Sequence, residues 1–253
     1  MIETIQNKTK HATWFFIKFC EREEWADQFL AGELFLNTIH HFKTRESSET
    51  ADRGDPTEAT SLWVQPRDAI IKIQVPKLQL ATVITENDLA APIQASNNFH
   101  EYLHIFCLTA LTTDLPIIES GVVSNLASIH KQMRISQKCF RMGNFAVLVH
   151  ARPFLEQLST SLKANNLTAS SRRVTYYDDS SFSGQIPFND VVFHKQKRFT
   201  YQREWRLWVN FNINADIPRR LSIGRLPQNS LKLSAADFPC INTIQIALDS
   251  SRT

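Results

Sequence analysis

The chain has 253 residues, 43% of them hydrophobic and 10% aromatic, enough to pack a core in one large domain or two small ones. Only six glycines occur, with no GxGxxG and no GxxxxGK(S/T), which argues against Rossmann-type dinucleotide enzymes and P-loop enzymes. The net charge of +3 is compatible with nucleic acid but too small to argue for it. No run approaches the roughly 18 apolar residues of a membrane span. Near the N-terminus, WFFIKFC is interrupted by Lys18. Cys20, Cys107, Cys139 and Cys240 form no CxxC, so neither a zinc knuckle nor a disulfide framework is implied. The expectation is a cytoplasmic protein with reduced thiols and no membrane partner.

In chain order, residues 12–20, ATWFFIKFC, read as a buried strand. EREEWADQFLAG reads as a helix. Trp25, Phe29 and Leu30 lie at helical spacing, acidic residues fill the first turn, and Gly32 sits where a C-cap belongs. ELFLNTIHHF returns to strand as far as His40 and His41. Residues 43–60 are an almost purely polar loop and a candidate lid, with a turn signature at Arg53-Gly54-Asp55-Pro56 and Glu58 just beyond. Trp63 to Leu80 reads as two short strands around Pro66-Arg67-Asp68, and residues 81–98 as irregular.

NNFHEYLHIFCLTAL contains His100-Glu101-Tyr102-Leu103-His104, a formal H-E-x-x-H match. On a helix that spacing sets two imidazoles on one face for zinc, with the Glu as general base. HIFCLT, however, is rich in strand formers. A strand starting at His104 would break the geometry, and no third ligand is evident, so the two imidazoles are not expected to share a metal. Residues 120–140 read as a helix with a basic face (Lys131, Arg134, Lys138), and FAVLVH as a core strand. RPFLEQLSTSLKANN reads as a helix and SRRVTYYD as a strand. Short strands and turns fill residues 218–253. No internal repeat or linker is visible, so residues 1–253 are expected to form a single α+β domain with a curved, mostly antiparallel sheet and a few flanking helices.

The densest chemistry lies in residues 187–210, PFNDVVFHKQKRFTYQREWRLWVN. From Tyr201 to Asn210 the side chains alternate as in a strand. Arg203, Trp205, Leu207 and Val209 share one face. Gln202, Glu204, Arg206, Trp208 and Asn210 share the other. A plain reading makes Glu204 and Arg206 a surface ion pair on a half-buried strand.

Four stretches together resemble a family of bacterial and phage-associated proteins of poorly defined function, over about residues 14–210. They are KF with the following helix and GELFLN, the RGDPTE box, GNFAVLVHARPFLEQL with RRVTYYD, and the HK…YxxEWR box in FHKQKRFTYQREWRL. More distantly, the chain is similar to ADP-ribosyltransferases. That resemblance implies a split β core that clamps NAD, an N-terminal strand carrying a basic residue or His, and a late Q/E-x-E glutamate. Lys18 stands at the first position and Gln202-Arg203-Glu204 at the last, while Cys107-Leu108-Thr109 stands where a Ser-Thr-Ser strand belongs. Glu204 is then the catalytic residue, and Lys18, Asn37, Arg53, Gln202 and Arg206 contact NAD, which is the substrate. A carboxylate suits this chemistry because cleaving the nicotinamide–ribose bond creates an oxocarbenium-like cation. Arg53 or Arg206 would neutralise the pyrophosphate.

The implied function is an effector that transfers ADP-ribose to RNA, DNA or protein, in a toxin or phage-defence setting, with an antitoxin or regulator as a further partner. Two other readings stay open. One is a non-enzymatic nucleic-acid or partner-binding module gripping through Lys195, Lys197 and Arg198. The other is a zinc-dependent hydrolase built on His100 and His104.

Overall fold

In a computed structural model, which describes residues 11–44, 54–115, 118–119 and 122–241, the architecture is α+β with antiparallel sheets. The main sheet holds eight strands: β1 (His11–Cys20), β2 (Glu33–Thr38), β3 (His104–Asp114), β4 (Phe145–His150), β5 (Thr168–Arg173), β6 (Glu204–Asn210), β7 (Arg219–Ser222) and β8 (Leu231–Ser234). Six of them form the path β5-β6-β3-β1-β4-β8, and every neighbouring pair on it is antiparallel. Counted along the chain, these six lie in the order 4-5-2-1-3-6. The parallel exception is a two-stranded pair, Thr175–Tyr177 with His194–Gln196.

One edge of β3 changes partner part-way. β1 pairs with it from His11↔Asp114 to Ile17↔Thr109, and β2 takes over at Asn37↔Ile105 and Thr38↔His104. Between these registers the sheet is split. The Lys18 ammonium reaches into the gap, donates to the Cys107 carbonyl at 3.1 Å and lies over the Phe106 ring.

The strong apolar patterns produce the two covered faces. Phe16 and Cys20 of β1 point to one face, where they pack with Phe106, Trp205, Leu207 and Val209. Helices α1 (Glu23–Leu30) and α3 (Ala151–Ala164) cover it with Ala26, Phe29, Phe154, Leu158 and Leu162. Ile17 and Phe19 point to the other face and pack with Leu111, Met133, Cys139 and Phe238. Met133 is the last residue of α2 (Leu126–Met133). A third cluster, around Ile39, Trp63, Ile105, Tyr177 and Phe193, shares that second face with Ile105 of β3.

Several expectations shift by identifiable causes. Trp25, though at helical spacing, is exposed beneath the Arg22 guanidinium, and Ala26 and Phe29 supply the buried stripe. The strand expected to run to His41 stops at Thr38, whose hydroxyl accepts the His41 N–H at 3.1 Å, and Ile39–Thr44 turns helical. Residues 81–98 are ordered, not irregular: Leu80–Ile84 pairs with Ile71–Val75, and Ile93–Ser96 pairs with Thr60–Val64. The C-terminal stretch supplies β7 and β8 to the main sheet. Half of the polar 43–60 loop, residues 45–53 with Arg53 among them, lies outside the described residues. Among the described residues, no helix is long and apolar enough to cross a membrane.

The turn between α1 and β2 depends on Gly32. Its φ of +88° is left-handed, and a Cβ there would sit 1.9 Å from the Gly224 carbonyl oxygen. Gly32→Ala should therefore cost roughly 2–4 kcal/mol in urea unfolding. Gly184→Ala, at φ +152° but with no atom within 4 Å of the added Cβ, carries backbone strain without the clash and should cost less.

Candidate functional site

Residues 197–202 form a 3₁₀ turn, not the start of a strand, and Arg203 closes it in the left-handed region at φ +46°. That conformation strains a residue with a side chain. Three carbonyls hold it there: the Arg203 guanidinium donates to those of Gln132, Arg134 and Thr112. β6 thus begins at Glu204. Its register against β3, Glu204↔Thr109 and Arg206↔Cys107, sends Glu204, Arg206 and Trp208 to the second face. Trp205, Leu207 and Val209 enter the helix-covered core as the alternation requires.

On that second face four buried charges meet. Arg206 donates through Nη1 and Nη2 to the two Glu58 oxygens at 2.8 and 2.9 Å, a forked pair, and through Nε to Glu204 Oε1 at 2.8 Å. It also donates to the Val192 carbonyl at 2.6 Å. The Lys195 ammonium donates to Glu204 Oε2 at 3.2 Å and to Gln202 Oε1 at 3.1 Å, and lies 3.4 Å from Glu58. It also sits over the Phe199 ring. The Glu204 N–H donates to the Tyr176 hydroxyl at 2.8 Å. Glu58, Lys195, Glu204 and Arg206 are at most 5% exposed, so the pair read as a surface ion pair is a buried cluster. Two anions against two cations leave it balanced, which is the condition for burying charges whose desolvation costs several kcal/mol each.

The protonation states follow from this packing. Burial pushes the Glu204 carboxyl up, but Arg206 and then Lys195 outweigh it and hold it at about 2. Burial opposes the charge on Lys195 and Arg206, yet Glu204 and Glu58 hold both above their ordinary values. Burial, then the Glu204 charge, pushes the Cys107 thiol up to about 12, which removes it as a nucleophile. Asp55 behaves oppositely to Glu204. Burial, then Glu58, raises its carboxyl, with Lys195 and Thr57 opposing. Its Oδ1 accepts the Thr57 N–H and hydroxyl at 2.9 and 2.6 Å, its Oδ2 has no partner among the described residues, and Arg198 stays 3.9 Å away.

Of the residues expected to bind NAD, Arg206 bonds Glu204 directly and Gln202 is joined to it through Lys195. Lys18 does neither: it shares the face of Phe16 and Cys20, opposite to Glu204. Asn37 shares the Glu204 face, but its β3 partner Ile105 lies four residues from Thr109, about 13 Å along the strand. Arg53 lies outside the described residues. The zinc geometry is not formed, because the short helix ends at Glu101 and His104 opens β3. His104 Nε2 bonds the Ile217 carbonyl at 2.8 Å, and His100 packs against Phe188. Among the described residues, no group of three or more His, Cys, Asp or Glu is placed to hold a metal ion.

Two grooves, of about 430 and 620 Å³, run along α3 beside Glu156 and Thr160, away from Glu204. They carry no comparable set of charges, and the buried cluster is the better candidate for chemistry. The sequence reading did not join Glu58, Lys195 and Asp55 to this site. The available signal was Lys195 two residues after the buried run Val191-Val192-Phe193.

The shifts give stability opposite pH signs. Glu204 is depressed in the folded state, so its contribution, on the order of 3 kcal/mol, is present above its unfolded value and lost as pH falls toward 2. Asp55 is raised, so its penalty is absent in acid and grows as pH rises from about 4 through its folded value. In melting curves across pH, Glu204→Gln should destabilise near neutrality and flatten the acid limb. Asp55→Asn should stabilise at pH 7 and be neutral at pH 3. No family model, no curated protein and no solved structure matches the chain.

Proposed function

We propose that the protein is an ADP-ribosyltransferase-like effector that cleaves NAD and transfers ADP-ribose to a macromolecule, nucleic acid or protein, in a toxin or phage-defence setting. The observation that supports this is positional. An ionised carboxylate preceded by Gln202-Arg203 opens the fifth strand of a 4-5-2-1-3-6 antiparallel path. It lies beside the second strand, whose other edge is split between β1 and β2. A split antiparallel core with a late Q-x-E glutamate is what the resemblance to ADP-ribosyltransferases implies.

In this reading Glu204 acts as an anion throughout. Lys195 is its longer contact, at 3.2 Å against 2.8 Å for Arg206, and is the one that yields. As the nicotinamide–ribose bond breaks, its electron pair leaves with nicotinamide, and the positive charge left on the sugar faces the freed Oε2. The acceptor then supplies the new bonding pair and loses a proton. Arg206 stays tethered to Glu58 and keeps the carboxylate aimed.

A second reading is favoured by one specific observation. Both Glu204 oxygens are already paired, and the two grooves lie elsewhere. The cluster is then a buried brace, and the protein a non-enzymatic nucleic-acid or partner-binding module. Nicotinamide release and NAD-dependent thermal shift separate the two. The enzyme reading expects both signals in wild type. It also expects Glu204→Gln to lower turnover by on the order of a hundredfold while NAD affinity holds. Neither signal, with RNA, DNA and protein acceptors supplied, leaves the binding module.

A further inference from the structure

The hairpin Ile71–Val75/Leu80–Ile84 is a two-stranded sheet of its own. Its strands differ in how they guard their outer edges. Ile71–Val75 carries Lys72 and runs into Pro76, both features that discourage pairing. Leu80–Ile84, LATVI, carries no charge and no proline, and four of its five residues are exposed. No strand among the described residues covers its outer edge. Leu78, Leu80 and Val83 are 74%, 53% and 51% exposed. A lone two-stranded hairpin is marginal in water and gains from further strands.

We propose that Leu80–Ile84 pairs antiparallel with the same strand of a second copy of this chain, about a two-fold axis at Thr82, joining two hairpins into a four-stranded sheet. The sequence is self-complementary under that operation. Leu80 meets Ile84, Ala81 meets Val83, and Thr82 meets Thr82, which gives apolar pairs flanking a hydroxyl pair. Beyond the strand the same operation sets the turn that carries Lys77 beside the short 3₁₀ turn of the second copy that carries Glu86 and Asp88, and does so twice. Lys77 has no ion pair within its own chain among the described residues, so this contact meets an unmatched charge. A lipid surface fits less well, because the open N–H and C=O groups of an edge find no partners in hydrocarbon. A five-residue ladder is smaller than a standard interface of about 800 Å² per partner, so the dimer is reversible, with a dissociation constant on the order of 10–100 μM.

Sedimentation equilibrium across that range tests it. Wild type should pass from monomer to dimer. Thr82→Lys, at an exposed position, sets two ammonium groups face to face and should weaken the dimer at least tenfold. Lys77→Glu should weaken it as well, and adding Glu86→Lys should restore it. With a copper–phenanthroline oxidant, Thr82→Cys should cross-link to a covalent dimer, whereas Leu80→Cys, which faces Ile84, should not. A wild type that stays monomeric throughout, or a dimer indifferent to Thr82→Lys, would overturn the proposal.

Discussion

The Arg206–Glu58 fork is the contact on which the second face of the sheet depends. Two hydrogen bonds of 2.8 and 2.9 Å join a side chain of β6 to the turn at residues 54–59, in a place where both are at most 2% exposed. Neither charge could be buried without the other. Glu204 and Lys195 complete the ring, and all four sit between the apolar cluster of Ile17 and Leu111 and that of Ile105 and Tyr177. Well-packed hydrophobic residues of similar volume would stabilise such a spot as well or better. What the ions add is directionality. An apolar turn could settle against the sheet in several ways, whereas a forked guanidinium accepts a carboxylate in few.

The same ring defines the chemical tension of the site. It keeps Glu204 ionised, as chemistry on a developing cation needs, and engages that anion with two cations that compete for it. Asp55 lies just outside the ring, raised, with one oxygen unpartnered among the described residues. Two carboxyls beside one ammonium, that of Lys195, pushed in opposite directions are a pattern associated with functional sites. Exchange at Lys195 is the step on which the enzyme and brace readings divide.

Much of this was legible locally. Alternation from Trp205 to Val209 named the buried side of β6, and strand formers after His104 marked the start of β3. Other features were not local. Glu58 and Arg206 are 148 residues apart, so both boxes were visible but not their union. The parity of Lys18 with Phe16 and Cys20 was readable, but which face of β1 looks toward Glu204 depends on the β1–β3–β6 register. The left-handed Arg203 had no signal of its own, since three distant carbonyls hold it there, and it moved the strand start to Glu204.

A double-mutant cycle on Glu58 and Arg206 addresses the central claim most directly, using Glu58→Gln, Arg206→Met and the pair in urea unfolding at neutral pH. If the fork organises this face, each single change strands a buried charge and costs roughly 3–5 kcal/mol, and the double mutant costs far less than their sum. A coupling energy of about 2 kcal/mol or more is the predicted result. Single losses that are small and simply add, with coupling below about 0.5 kcal/mol, would contradict the account.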